Sequence, residues 1–404
     1  MANTISLTEK KHVEAVSFRK LEPGIPSTTY ASHGMYYYPA RFIPQVVSWF
    51  IKNYSKEGDW IIDPFAGIGT LCIECLINNR NSICLDLNPV IEPLLLAKTY
   101  RTIDYYEICK SEANILNGSK PFHPRWSRIP YWYPPQIMEF LEPMWGAYYE
   151  APNPLALLAL FKTSRRFSYA DDLVPKIFRS KRKIKEIEEI LKKDYQKMIK
   201  EYFKNSLKRI YNSSLKFTGY YRGGEHIVKG GIDLPNYEFD RDVDHLITSP
   251  PYGRAHEYIR SFKLELAWLG YTDEQITGLI NKEIPYRKDA PNIVISSPTY
   301  EEFRDKVAPR FVRDYEVYFR SVIAGLENIT KRVRGYVGIF VGNATYGGVE
   351  PPYHRIFTEH FESKGFIHEK TLIDKVLSRK LFKGRRNLSP NGIEFEYLIV
   401  FKAP

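Results

Sequence analysis

Cysteine is scarce in this chain: only Cys72, Cys75, Cys84 and Cys109 occur in 404 residues. That excludes a disulfide-stapled scaffold and points to a reducing compartment. Cys72 and Cys75 form a C-x-x-C, but no second such pair and no histidine pair lies at zinc spacing. The pair also falls where a helix should run, so no metal site is expected. Long apolar runs are missing as well. The longest, Leu155–Phe161, is too short to span a bilayer. The N-terminal stretch has no apolar signal core, so the expected location is the cytoplasm, with no membrane contact. Internal repeats and low-complexity tracts are absent. Negative charge is in deficit: 58 Lys and Arg face 47 Asp and Glu, leaving a net charge of +11. Such a surplus favours a polyanionic partner, although a basic surface alone accounts for it equally well. Aromatic residues are plentiful at 15%, with 30 Tyr; most must pack in a core, and some suit stacking on bases.

A chain of this length suits two domains or one large domain with an insertion. Residues 1–32 are polar and mixed, with Pro23, Gly24 and Pro26 marking a turn, and read as an N-terminal arm or cap. The spacing of Phe42, Val46, Val47, Phe50 and Ile51 predicts an amphipathic helix within Tyr36–Tyr54. Trp60–Ile62 then reads as a strand ending at Asp63, followed by a glycine-rich turn, a helix over Leu71–Asn78, and a second strand, Ser82–Leu85, ending at Asp86. This is the opening unit of a doubly wound, Rossmann-like α/β fold.

The alternation stops over residues 99–221, where prolines and aromatics precede one long predicted helix, Arg182–Arg209. This region reads as an inserted, mainly helical subdomain. Alternation resumes with strands at His226–Lys229, His245–Ile247, Tyr336–Val341, Lys370–Val376 and Ile393–Phe401. Helices are expected at Tyr258–Leu269, Glu301–Ile329 and Tyr353–Phe361, and a basic loop at Arg379–Asn391. The main domain therefore comprises residues 33–98 and 222–404.

Two strings carry chemistry. In the first, Asp63, Pro64, Phe65, Ala66, Gly67, Gly69 and Thr70 belong to one strand–turn–helix junction. Glycines there let backbone amides approach a ligand. Asp86 at the next strand end can accept both ribose hydroxyls of a nucleoside cofactor. The plainer reading is a tight turn in some other α/β enzyme. The second string is Thr248–Gly253, TSPPYG. Proline fixes the backbone and removes an amide donor. What remains is a rigid edge of acceptors, the Ser249 hydroxyl and the Pro250 carbonyl, followed by Pro251 and Tyr252. Such an edge suits an amine with two hydrogens to donate, and Tyr252 offers a ring to stack on a base. The plainer reading is a Pro-Pro strand terminator.

Together DPFAGIGT (Asp63–Thr70) and TSPPYG resemble the cofactor-binding and catalytic motifs of the amino-methyltransferases of DNA, which make N4-methylcytosine or N6-methyladenine. Serine at position 249 is typical of the cytosine members. HGMYYYPARFIP (His33–Pro44), with Tyr38 and Pro39, is similar to the element over the methionine end of the cofactor. DLNP (Asp86–Pro89), with Asn88, resembles the ribose-binding strand end, and Asp233 the acidic residue near the adenine.

The resemblance implies a methyltransferase fold, S-adenosylmethionine as cofactor, double-stranded DNA with a flipped target base as substrate, and direct transfer to the N4 amine of cytosine. No covalent intermediate is required, and no cysteine here follows a proline as in ring-carbon methyltransferases. It also implies a prokaryotic, nucleoid-associated enzyme of a restriction–modification system with a separate endonuclease. The alternatives are N6-adenine transfer, an RNA base amino-methyltransferase, and a recognition subunit without activity. Residues 99–221 are the expected target-recognition region, in which Arg165, Arg166, Lys181 and Arg182 are candidate phosphate contacts. Lys383, Arg385 and Arg386 of the basic loop are further candidates.

Overall fold

The computed structural model describes residues 13–38, 41–101, 104–174, 176–253, 257–284, 286–376 and 394–404. Eight strands form one sheet: β1 (Val13–Ala15), β2 (Trp60–Asp63), β3 (Asn81–Leu85), β4 (His226–Lys229), β5 (His245–Thr248), β6 (Tyr336–Gly342), β7 (Ile367–Lys375) and β8 (Phe395–Lys402). Their order is β1-β7-β8-β6-β5-β2-β3-β4. Every neighbouring pair is parallel except those made by β8. The order reverses between β2 and β5, which pair with Ile61 opposite His245 and Ile62 opposite Leu246. Ligands of such sheets bind outside the strand ends at this switch point.

The sheet is covered on both faces, so its central strands are apolar at nearly every position. Ile61, Ile247 and Phe340 point into one core with α1 (Pro44–Tyr54) and α2 (Thr70–Ile77). Their neighbours Ile62, Leu246 and Ile339 point into the other, with α13 (Pro298–Lys306), α14 (Pro309–Thr330) and α15 (Tyr353–Ser363). Helix α3 (Ile91–Lys98) follows β3. Residues 104–220 form α4 (Tyr105–Leu116), α5 (Ile129–Trp132), α6 (Pro135–Glu150), α7 (Pro154–Arg166), α8 (Lys181–Leu191) and α9 (Tyr195–Tyr220). After β5 come α10 (Tyr258–Ser261), α11 (Lys263–Trp268) and α12 (Asp273–Lys282). A third core joins α4–α9 to Tyr36, Tyr38, Val90 and Trp268. Among the described residues, no helix is long and apolar enough to cross a membrane, and no group of His, Cys, Asp or Glu could hold a metal ion. Cys72 and Cys75 are buried within α2.

The element boundaries depart from the sequence reading at identifiable residues. The stretch taken as an arm contributes β1, which pairs with β7, and the buried Phe18, whose amide donates to Asp374. The helix expected within Tyr36–Tyr54 begins only at Pro44, whose ring suits the first turn, while Tyr36 and Tyr38 turn inward to the third core. The long helix Arg182–Arg209 is two helices, because the Asp194 side chain accepts from the Lys197 amide and starts a new one. Tyr258–Leu269 breaks at Phe262. The helix expected over Glu301–Ile329 is divided before Pro309, which supplies no amide to continue the preceding turn. Helix α12 was not anticipated, although Thr272 and Gln275 form a capping box there.

Trp268 ties α11 to the helical layer. It is fully buried, stacks on Trp145 at 5.2 Å, and donates its indole N–H to the Tyr133 hydroxyl at 3.0 Å. Trp268→Ala should cost about 3–5 kcal/mol. Urea denaturation should show a lower midpoint, since Trp268 belongs to the apolar core that α3 and α4–α9 share.

Candidate active site

The turn after β2 is held from three sides. Asp63 is 1% exposed, and one of its carboxylate oxygens accepts from the Phe65 amide at 3.0 Å and from the Thr248 hydroxyl at 2.5 Å. Burial pushes its carboxyl up to about 7, against the pull of these two donors. Gly67 and Gly69 both have positive φ, at 54° and 74°. A Cβ on Gly69 would lie 2.1 Å from a Leu95 methyl, so α3 packs directly on the turn. Lys98, fully buried, donates to the Ile68 carbonyl at 2.8 Å.

Asp86 links the turn to the next strand. One of its oxygens accepts from the Gly67 amide at 2.7 Å, and the other from the Asn88 amide at 2.7 Å. Burial still pushes this carboxyl up to about 6, with the two amides opposing the shift. The Asn88 side-chain N–H2 is buried without a partner. An unpaired donor beside a carboxylate with spare lone pairs suits a polyhydroxylated ligand such as a ribose.

Residues 33–38 and 41–44 close over the turn. His33 Nε2 and the Tyr30 hydroxyl both meet Glu74 of α2, and the Tyr36 hydroxyl donates to Glu265 at 2.7 Å. Burial pushes Glu74 up to about 8 and holds His33 below its ordinary value, so this contact is a hydrogen bond more than an ion pair. The Thr70 hydroxyl reaches the Phe42 carbonyl at 3.3 Å. Tyr38 consequently lies against Gly67 and stacks on Tyr258 at 5.8 Å.

One cavity gathers most of the expected residues. Tyr38, Pro64, Phe65, Ala66, Gly67, Asp86, Asn88 and Asp233 line it, as do Ser249 and Pro251. Asp63, Gly69 and Thr70 stand behind its wall and shape the turn. Pro250 and Tyr252 also stand back from the cavity, and the Tyr252 hydroxyl donates to Glu396 of β8 at 3.0 Å. Asp233 is engaged by Arg287 at 2.6 Å. Pro39 lies outside the described residues.

Tyr258 and Glu283 were not anticipated. Tyr258 lines the cavity five residues beyond the TSPPYG string. Glu283 also lines it, 4% exposed, and accepts from the Ile259 amide at 3.0 Å. Burial pushes its carboxyl up to about 7. Its position follows from α12, whose capping box was the available sequence signal.

Among the expected phosphate contacts, Arg165 donates to the Ser261 carbonyl at 2.9 Å and to Glu265 at 3.2 Å. Arg166 pairs with Glu186, and Arg182 with Asp171 and Asp172. Lys181 is exposed and makes no ion pair among the described residues. Lys383, Arg385, Arg386 and the basic loop lie outside the described residues.

The sequence comparisons agree with this geometry. A family model described as DNA methylase matches residues 9–96. A type II methyltransferase, M.MjaII of Methanocaldococcus jannaschii, is 37% identical over 90 residues, covering 22% of this chain and 17% of that protein. Another, M.MvaI of Kocuria varians, is 23% identical over 401 residues, covering 88% of this chain and 86% of its own. Among solved structures, the rRNA methyltransferase aviRa of Streptomyces viridochromogenes aligns over 96% of this chain and 97% of its own at 10% identity and a TM-score of 0.36. The family model and the two type II relatives show that the chain is similar to DNA methyltransferases, with the matched family region confined to residues 9–96. The similarity implies S-adenosylmethionine as the methyl donor, and Gly67, Asp86 and Asn88 together bring hydrogen-bond donors and acceptors to one cavity.

Gly69→Ala tests the turn. Strain at positive φ and collision with Leu95 should together cost about 2–4 kcal/mol. Calorimetric titration with S-adenosylhomocysteine at a temperature where the variant stays folded should show weakened binding, because Leu95 and the turn must separate.

Proposed function

We propose that the chain transfers a methyl group from S-adenosylmethionine to the exocyclic N4 amine of cytosine in double-stranded DNA. The observation that carries this reading is that Ser249 and Pro251 line the same cavity as Gly67, Asp86 and Asn88. An amine-accepting edge and a nucleoside cradle thus open on one space. The cofactor supplies an electrophilic methyl on a sulfonium.

Everything else falls to the residues of this chain. Asp86 and Asn88 hold the nucleoside, and Tyr38 encloses it with Phe65. Ser249 Oγ, on the cavity wall, accepts one amine hydrogen, and the carbonyl of Pro250, the next residue, accepts the other as the base seats against this edge. The nitrogen is drawn out of conjugation, and one of its two hydrogens leaves to solvent as a proton once the nitrogen carries the methyl. Tyr258, stacked on Tyr38, replaces Tyr252 as the aromatic face available to an extrahelical base, since the Tyr252 hydroxyl is tied to Glu396. Thr248, bonded to Asp63, keeps the two edges in register. The reading includes a prokaryotic, cytoplasmic and nucleoid-associated enzyme of a restriction–modification system with a separate endonuclease, and target recognition by residues 99–221. The type II names of both relatives support it. Serine at position 249 favours cytosine over adenine within the same amine chemistry.

Two measurements test this. DNA from a host expressing the chain, digested to nucleosides and weighed by mass spectrometry, should contain N4-methylcytosine; N6-methyladenine alone would replace cytosine with adenine as the target. Ser249→Ala should lower turnover on the order of 100-fold while leaving cofactor binding nearly intact by calorimetry. Loss of cofactor binding in that variant would show that Ser249 serves the cofactor and not the amine.

A further inference from the structure

A second cavity opens between α7, α9 and the α10–α11 junction. Its walls include Tyr37 from the segment over the cofactor, Lys162 and Arg165 from α7, Tyr202 from α9, and Phe262 between α10 and α11. Phe262 also packs on Tyr38 with ring centroids 5.2 Å apart. Tyr38 lines the first cavity, so an aromatic partition is all that separates the two spaces at this point.

The charge in this second cavity is uncompensated in a specific way. Lys162, Arg165 and Arg166 sit three and four residues apart, on one face of α7. Arg165 is engaged by Glu265, and Arg166 by Glu186. Asp172, the carboxylate on the cavity wall, is held by Arg182 and Lys183. Lys162 has no carboxylate within ion-pair distance among the described residues. Its charged neighbour across the helix interface is Arg209 of α9, another cation. Burial, and then Arg209, hold the Lys162 ammonium below the ordinary lysine value. A half-buried cation beside a second cation is unfavourable in the free protein, and an anion entering the cavity relieves it. Tyr37, 54% exposed between the buried Tyr36 and Tyr38, adds an accessible ring at the mouth.

We propose that this cavity binds a backbone phosphodiester of the nucleic-acid strand, next to the nucleotide that enters the first cavity, with Lys162 as its counter-ion. The site takes one singly charged phosphate group. Tyr37 packs on the adjoining sugar or base, and Arg165 is the scaffold that holds α7 to α11. The proposal rests on the nucleic-acid reading of the first cavity, and it assigns the contact to Lys162, which sequence reasoning passed over in favour of Arg165 and Arg166.

The test uses the full chain and a fluorescein-labelled duplex of about thirty base pairs with one unpaired, extrahelical cytosine at its centre, titrated by anisotropy over a sodium chloride series. A phosphate contact contributes about 0.9 to the slope of log affinity against log salt. Lys162→Met should reduce the slope by about that amount and weaken binding about threefold or more at low salt. Its melting temperature should stay level or rise, because an uncompensated cation is removed. Lys162→Arg should keep the slope. Tyr37→Ala, at an exposed position, should weaken binding without changing the slope. Lys185→Ala, on the exposed face of α8, is the control. An unchanged slope and affinity in Lys162→Met overturns the proposal whatever the melting temperature does. If the wild-type chain ignores duplex DNA but binds an RNA of equal length, the DNA reading fails, and the same variants on RNA judge the cavity separately. If it binds neither, both fail.

Discussion

The hydrogen bond from Thr248 to Asp63 is the constraint on which the rest of the site depends. It joins residues 185 positions apart in the chain, and it exists because β2 and β5 lie side by side at the point where the strand order reverses. Each strand ends there in a turn that cannot continue the sheet: glycines after β2, paired prolines after β5. The carboxylate between them is almost fully buried and keeps its place through donors from both turns. The glycine turn with Asp86 and Asn88, and the edge formed by Ser249 and Pro251, thereby line the same cavity without either contributing to the other's backbone.

Buried carboxylates recur around this point. Glu74 anchors the covering segment to α2, Glu265 holds Tyr36 and Arg165 together, and Glu283 pins the start of α10. A charge removed from water is unfavourable unless donors surround it. Each of these groups meets tyrosine, histidine, arginine or backbone donors from a different part of the chain. The arrangement makes the roof over the cofactor turn a consequence of packing among three layers. Three of the cations expected to contact phosphates, Arg165, Arg166 and Arg182, are also paired with carboxylates of their own fold.

Much of this was legible before any coordinates. Asp63, Gly67 and Asp86 announce themselves because a strand, a tight turn and a helix must follow one another locally, and the residues that permit the turn are few. Ser249 and its two prolines are likewise a local signal. The misreadings have local causes too. Asp194 and Pro309 each divide a helix whose apolar period runs on without interruption, and the Thr272–Gln275 capping box was overshadowed by the longer apolar patterns beside it.

Alone, then, the sequence determined the doubly wound α/β class, the two chemical motifs and the excess of positive charge. These follow from backbone geometry and side-chain chemistry within a few residues of each other. Only the tertiary structure decided that Tyr258 and Glu283 join the cavity, that Tyr252 turns instead to Glu396, and that Arg165 pairs with Glu265 while Lys162 has no carboxylate partner among the described residues. Those outcomes depend on which distant group reaches a side chain first. Spacing along one chain carries no record of that choice, because the partners are brought together by the packing of whole helices and strands.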